Sequence, residues 1–202
     1  MGIWHGAKKK KQESREKLLA AAAECFAEKG FSGCSVADIA HRADVAQGGM
    51  YVHFKNKEAL FIAMLEEEHR QGAEKARLVL ETSPDLDGII GILESCIRDV
   101  GFPVDHRLWT EILAVSARES SIREAFAASD KAMRSVFVEL LRKAAEAGEI
   151  DNTLDFDAVS VWLYALVDGL IARAAEDPDF DFQKCFTVFE ILIRKALGPR
   201  QG

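Results

Sequence analysis

Apolar residues recur at helical spacing along most of this chain, and the pattern predicts an all-α protein. The first helix is expected over about 14–29, with Leu18, Leu19, Ala22, Cys25 and Phe26 on one face and Gly30 as its stop. Ser35-x-x-Asp38 reads as an N-cap followed by a first-turn acid, opening a short helix over 36–43 with Ile39 and Ala40 inward. Asp44 falls where the chain must turn, and Asp tolerates a left-handed backbone better than most residues. A second short helix is expected over about 46–52. Two short helices joined by a tight turn and braced by a longer one form a helix-turn-helix pattern.

Longer helices follow. One is expected over 57–80, burying Leu60, Phe61, Met64 and Leu65, and another over 86–100, broken by Gly101-Phe102-Pro103. A short one is expected over 108–117, and Ile122, Phe126, Ser129, Met133, Val136, Phe137, Leu140 and Leu141 mark a long amphipathic one closed by Gly148. The last two, 156–175 and 182–197, are apolar on more than one face. In the former, Val159, Leu163, Leu166 and Leu170 form one stripe and Trp162, Ala165, Gly169 and Ala172 a second. In the latter, Phe182, Phe186, Phe189 and Ile193 line one side, with Cys185, Val188 and Leu192 beside it. A helix apolar on two sides must be covered on both, so a second subunit is expected there. The expected dimer contacts are Val159, Leu166, Gly169, Phe182, Phe186 and Phe189.

Composition narrows the class. The chain has 202 residues, 49% of them hydrophobic, and four prolines, with no Pro/Gly/Ser-rich linker. The net charge of −7 does not by itself point to a nucleic-acid binder, and its distribution is more informative. Residues 1–60 carry 10 Lys/Arg against 7 Asp/Glu (+3), and the remainder 16 against 26 (−10). A basic end on an acidic body can hold a polyanion, because local potential governs the contact. Residues 1–12, with lysines at 8–11, are expected to be a disordered basic arm able to follow DNA, although Trp4 fits no such account. Cys25, Cys34, Cys96 and Cys185 are widely spaced and form no CxxC or zinc pattern, so they are expected to be reduced cytosolic thiols with no redox pair among them. The charges from Glu13 to Lys17 argue against a signal peptide, and no run of roughly 18 apolar residues predicts a membrane span.

The segment Gly30-Phe31-x-x-x-Ser35-Val36-x-x-Ile39-Ala40-x-x-Ala43-Asp44-Val45-Ala46-x-Gly48-x-x-Tyr51-x-His53-Phe54-x-x-Lys57-x-x-Leu60-Phe61 resembles the DNA-binding domain of the TetR family of bacterial transcriptional regulators. The match spans about a quarter of the chain. It departs from the family's pattern at Cys34, Asp44 and Ala46, where Thr, Gly and Ser are common. The resemblance implies a three-helix helix-turn-helix domain over 13–58 and a helical effector-binding and dimerisation domain over 59–202. It also implies a cytoplasmic homodimer on a palindromic operator, released by a small molecule. The alternative is a regulator controlled by a protein partner or by its own abundance.

On this reading Ser35, Gln47, Gly48, Met50, Tyr51, His53, Lys55 and Lys57 are the expected DNA contacts. Gln47 suits an adenine edge and Met50 a thymine methyl, while Tyr51, His53, Lys55 and Lys57 suit phosphates. The expected effector-pocket residues are Phe102, Trp109, Leu113, Phe126, Met133, Phe137, Trp162 and Asp168; for the seven apolar ones plain core is the favoured alternative, and for Asp168 a bond to a neighbouring helix. An effector would work by changing the separation of two reading heads that DNA requires about 34–36 Å apart. Glu66-Glu67-Glu68-His69 faces all sides of a helix and predicts no metal site, and no grouping of residues predicts an enzyme or a bound cofactor.

Overall fold

The structure, a computed structural model, describes residues 2–98 and 104–199, with side chains from residue 9 onward. Among these residues there are helices and no strands: α1 (Gly2–Gly33), α2 (Val36–Arg42), α3 (Gln47–Tyr51), α4 (Lys57–Thr82), α5 (Leu86–Arg98), α6 (His106–Arg118), α7 (Ser120–Glu146), α8 (Phe156–Glu176) and α9 (Phe182–Leu197). The all-α expectation holds. The expected break at Gly101-Phe102-Pro103 lies outside the described residues.

Two compact units are present, Met1–Glu67 with Phe102–Phe126, and Glu68–Gly101 with Ala127–Gly202. In the first, Phe26, Phe31 and Phe61 pack with ring centroids 4.9–5.7 Å apart, joined by the fully buried Leu18, Ile39, Met50 and Leu60. Gly30 breaks α1 at φ 70°, and the amide of Phe31 beyond it donates to Glu111 of α6 at 2.6 Å. The stretch expected to be disordered is instead helical from Gly2 onward. It is rich in good helix formers, and Gln12 reaches Glu16 one turn on.

In the second unit, Ile89, Leu93, Phe137, Leu140, Leu163 and Ile193 form the buried centre. Asp155 caps α8 and Asp181 caps α9, each accepting from the amide three residues on. Gly148 turns the chain at φ 81° after α7, and the amide of Asp151 donates to the Leu197 carbonyl at 2.8 Å, tying the loop to the end of α9.

The inward stripe of α8 is Ser160, Leu163, Val167 and Ile171, displaced from the expected 159/163/166/170. Leu166 and Leu170 are half-buried, while Val161 and Trp162 are exposed. Contrary to the sequence expectation, α8 is long and apolar enough to cross a bilayer by length and composition, with mean hydropathy 1.5 over its best 18-residue window. Only 28% of that window is buried within the chain, so much of its apolar surface faces outward.

His69 is 2% exposed and shares a 2.7 Å hydrogen bond with the Ser129 hydroxyl. Burial disfavours the imidazolium and pushes its pKa down to about 4, against a partial opposing pull from Asp130. A histidine with a depressed folded pKa stabilises the fold fully above its unfolded pKa of about 6.5, and that stability drains away as pH falls from there toward the folded pKa. Between pH 7 and 5 the loss from this one group is about 2 kcal/mol. Urea unfolding at both pH values should show it, and His69→Gln should remove that part of the pH dependence. An identical pH dependence in the variant would contradict it.

Candidate nucleic-acid interface

The entrance to α2 is chemically saturated. The Ser35 hydroxyl accepts from the Asp38 amide at 3.1 Å, and the Ser35 amide donates back to the Asp38 carboxylate at 2.9 Å. Lys29 adds a 3.0 Å ion pair to the same carboxylate. The Ser35 hydroxyl and amide, with Lys29, hold the Asp38 carboxyl well below the usual carboxylate range. Ser35 was expected to contact DNA. It is exposed, and its hydroxyl is engaged in this reciprocal capping pair.

After α2, Asp44 takes a left-handed conformation at φ 53°, as expected, and the Val45 amide donates to the Ala40 carbonyl at 3.0 Å. This turn delivers α3. A Cβ on Gly49 would come within 2.6 Å of the Val45 side chain in the turn, so a side chain there would have to displace it. A Cβ on Gly48 would meet nothing within 4 Å.

Gln47, Gly48, Tyr51 and Val52 are exposed, Tyr51 by 55% and Val52 by 64%. The spacing of 47, 48, 51 and 52 places them on one side of the helix. Met50, expected to meet a thymine methyl, is fully buried. It is one position off that side and belongs to the hydrophobic centre of the unit. Val52, which the sequence reading passed over, takes its place as the exposed apolar residue.

The flanking cations divide into two kinds. Lys55 is exposed. Lys57, expected on a phosphate, donates to the carbonyls of Phe31 at 2.6 Å and Cys34 at 3.0 Å, with its ammonium 4.4 Å from the Phe31 ring centroid. Burial lowers its pKa. It closes off the carbonyls between α1 and α2, a structural duty that its position in the motif does not reveal. Asn56 caps α4 through a 2.7 Å bond from the Ala59 amide. His53 is half-buried, and its pKa is lowered by burial and then by the charges of Lys11 and Arg15. Arg15 lies 5.5 Å over the Phe54 ring. The basic residues of α1 therefore stand beside the end of α3, a proximity with no local signal in the sequence. Arg42 is paired to Glu24 and Glu28, at 3.2 and 2.6 Å.

The other expected groups scatter. Among the expected effector residues, Phe102 lies outside the described residues. Trp109, Leu113 and Phe126 belong to the first unit, with Trp109 6.2 Å from the Phe126 ring. Met133, Phe137, Trp162 and Asp168 belong to the second. Met133 and Phe137 are buried there, Phe137 with its ring 5.4 Å from that of Tyr164. Asp168 is half-buried, and Trp162 points outward, 42% exposed. Among the expected dimer contacts, Phe186 and Phe189 are buried by their own subunit. Phe182 is half-buried and stacks on Phe186 at 5.6 Å, and Val159 is half-buried. Leu166 and Gly169 line an open groove of about 710 Å³ along α8 and α9, together with Leu170, Val188 and Leu192. Asp179, Asp181 and Lys184 supply its polar lining.

Comparison with known proteins accords with this arrangement. The profile of bacterial regulatory proteins of the tetR family matches residues 18–64, and that of the BetI-type transcriptional repressor C-terminal region matches residues 91–198, a little over half the chain. The transcriptional repressor AcnR of Corynebacterium diphtheriae is 26% identical over 187 residues, covering 90% of this chain and 92% of that protein. The transcriptional regulator TtgR of Pseudomonas putida is 27% identical over 184 residues, covering 85% of each. A crystal structure from Rhodococcus sp., described as a TetR-family transcriptional regulator, superposes with a TM-score of 0.78 at 25% identity, covering 93% of this chain and all of that one.

The two lysines should behave differently on substitution. Lys55→Ala should leave folding intact and reduce the salt dependence of duplex binding by about one unit of slope. Lys57→Met should lower the melting temperature, because two half-buried carbonyls lose their donor. Thermal melts together with binding isotherms at several salt concentrations separate the two effects. A Lys57→Met protein that melts normally but loses salt dependence would reverse the assignment.

Proposed function

The chain belongs to the TetR family of bacterial transcriptional regulators, and we propose that it represses transcription as a cytoplasmic two-fold homodimer seated on a palindromic operator, from which a small molecule releases it. The observation that carries the reading is the division of labour in α3. Gly49 and Met50 hold the helix in place, while Gln47, Gly48, Tyr51 and Val52 stand exposed on one side. That side fits a major groove. Gln47 can bond an adenine edge in bidentate fashion, Gly48 lets the groove wall come close, and the Val52 methyls can meet a thymine methyl. Tyr51 and Lys55 reach phosphates on the flanks, and the basic face of α1 at Lys11 and Arg15 adds sequence-independent attraction.

Dimerisation is supported by the outward apolar surface of α8 and α9. Val161, Trp162, Val188, Ile191 and Leu192 are each 42–58% exposed, a concentration that a single subunit leaves uncovered. A second copy in two-fold pairing would cover it as a four-helix bundle. The effector would bind in the helical body, where Asp168 stands half-buried on the otherwise apolar middle of α8. The acidic charge of the body favours a cationic or neutral molecule. Release requires that the effector bind the DNA-free state more tightly than the bound one.

Selection of duplexes from a random library, followed by footprinting, should recover an inverted repeat. Gln47→Ala should relax preference at one base pair per half-site by about 1–3 kcal/mol. Recovery of no preferred sequence would defeat the reading. Gly169 tests the dimer separately. Nothing lies within 4 Å of a Cβ placed there, so the subunit itself tolerates a side chain. Gly169→Leu should nonetheless shift sedimentation toward monomer and weaken operator binding, because the added bulk meets the second copy. An unaltered dimer would remove Gly169 from the interface.

A further inference from the structure

The four cysteines are not alike, and the expectation that they contain no redox pair is overturned by Cys25 and Cys34. These two are bonded to each other, with Cα atoms 6.0 Å apart across a nine-residue separation. The sequence signal is concealed because the pair is brought together by the reversal at Gly30, where α1 breaks. A Cα spacing of this size lies well inside the range that a bridge spans without moving the backbone, so thiol and bridged forms fit the same fold. Both residues are 1% exposed. Even so, Cys25 is one of the residues lining a surface cleft of about 360 Å³, with Lys29, Ala37, Asp38, His41 and Arg42. The remaining two cysteines are not bonded to each other, although Cys185 is half-buried on the wall of the groove along α8 and α9. Cys96 and Cys185 are unbridged, and burial pushes the Cys96 thiol up to about 11, which suppresses its reactive thiolate.

The bridge occupies a mechanically important place. Cys34 immediately precedes Ser35, the cap of α2, and its carbonyl is one of the two gripped by Lys57. Cys25 sits on the inward face of α1. A covalent link between them fastens the entry of the helix-turn-helix to the helix that braces it.

We propose that Cys25 and Cys34 are a reversible dithiol–disulfide couple, oxidised by peroxide, whose bridged form holds the helix-turn-helix more firmly and binds operator DNA more tightly. The Cys25 thiolate attacks one peroxide oxygen, the O–O bond breaks, and hydroxide leaves with the electron pair, giving a sulfenic acid. The Cys34 sulfur then attacks the Cys25 sulfur. The S–O bond breaks, the S–S bond forms, and the oxygen departs as water with the proton of the second thiol. The two thiols together lose two electrons and peroxide is reduced to water. A small dithiol reverses the step by attacking the bridge and leaving as its own cyclic disulfide. The bridged form gains because the loop from 25 to 34 loses alternative conformations before DNA arrives.

The effect on DNA rests on the operator-binding reading, but the chemistry can be followed without it. The full-length dimer is fully reduced with dithiothreitol, freed of reductant and treated with equimolar hydrogen peroxide. It is then mapped by differential alkylation and mass spectrometry, melted, and titrated onto a duplex selected from a random library. Peroxide should protect Cys25 and Cys34 but not Cys96 or Cys185 from alkylation. The melting temperature should rise by several degrees and affinity by several-fold, with dithiothreitol restoring both. Cys34→Ser and, separately, Cys25→Ala should show neither response, while Cys96→Ala should keep both. Cys25 and Cys34 remaining alkylatable after peroxide, or a bridged protein with unchanged melting and unchanged affinity, would overturn the proposal. Failure to select any duplex in either redox state would sink the operator reading instead, leaving alkylation and melting to decide the couple.

Discussion

A five-residue helix has no stability of its own in water, since nucleation costs more than so few hydrogen bonds return. Helix α3 is such a helix, and its N-cap residue Ala46 contributes no side-chain bond. It persists because its neighbours hold it from several directions. Met50 is drawn into the hydrophobic centre, Gly49 lets the Val45 side chain lie against the backbone, and the Phe54 amide returns to the Met50 carbonyl at 2.9 Å. Upstream, the Ser35–Asp38 pair fixes where α2 begins and Lys57 closes the carbonyls before it. The exposed residues of α3 owe their position to residues packed or bonded beneath and beside them.

The same economy governs the charges. Arg42 and Lys29 are neutralised by Glu24, Glu28 and Asp38, so they stiffen α1 against α2. Lys57 is committed to backbone carbonyls. Lys55 is exposed beside α3, and part of the basic potential comes from α1, through Lys11 and Arg15 near His53. A chain with net charge −7 can thus present a local surface of opposite sign.

Much of this was legible in the sequence, and the divide follows the range of the physics. The stop at Gly30, the left-handed turn at Asp44, the turn at Gly148 and the cap at Ser35 depend on a few neighbouring residues, and each was readable from the local string. Met50 and Lys57 were not, because burial of Met50 and the Phe31 and Cys34 carbonyls that hold Lys57 depend on residues distant in the chain. The family's motif fixes residue type at position 57 without showing where the ammonium points. Helix α8 illustrates a different limit. When two faces are apolar, periodicity cannot say which is inward, and the buried set Ser160, Leu163, Val167 and Ile171 includes a serine that no hydrophobicity argument would choose. Its hydroxyl is satisfied by the Asp157 carbonyl at 2.7 Å and lies 3.3 Å from Arg134.

The open space beside Gly48 has a bearing on how such a protein can change over generations. On α3, position 49 cannot take a side chain without displacing Val45, and position 50 is locked into the hydrophobic interior. Position 48 has neither restriction. A Cβ there meets no resistance from the fold, so, where this face reads the operator as proposed, a duplicated copy of the gene can explore different operator sequences at that position while its product keeps folding. Drift in DNA preference is thereby uncoupled from the risk of losing the protein, and a lineage can acquire new target genes one substitution at a time.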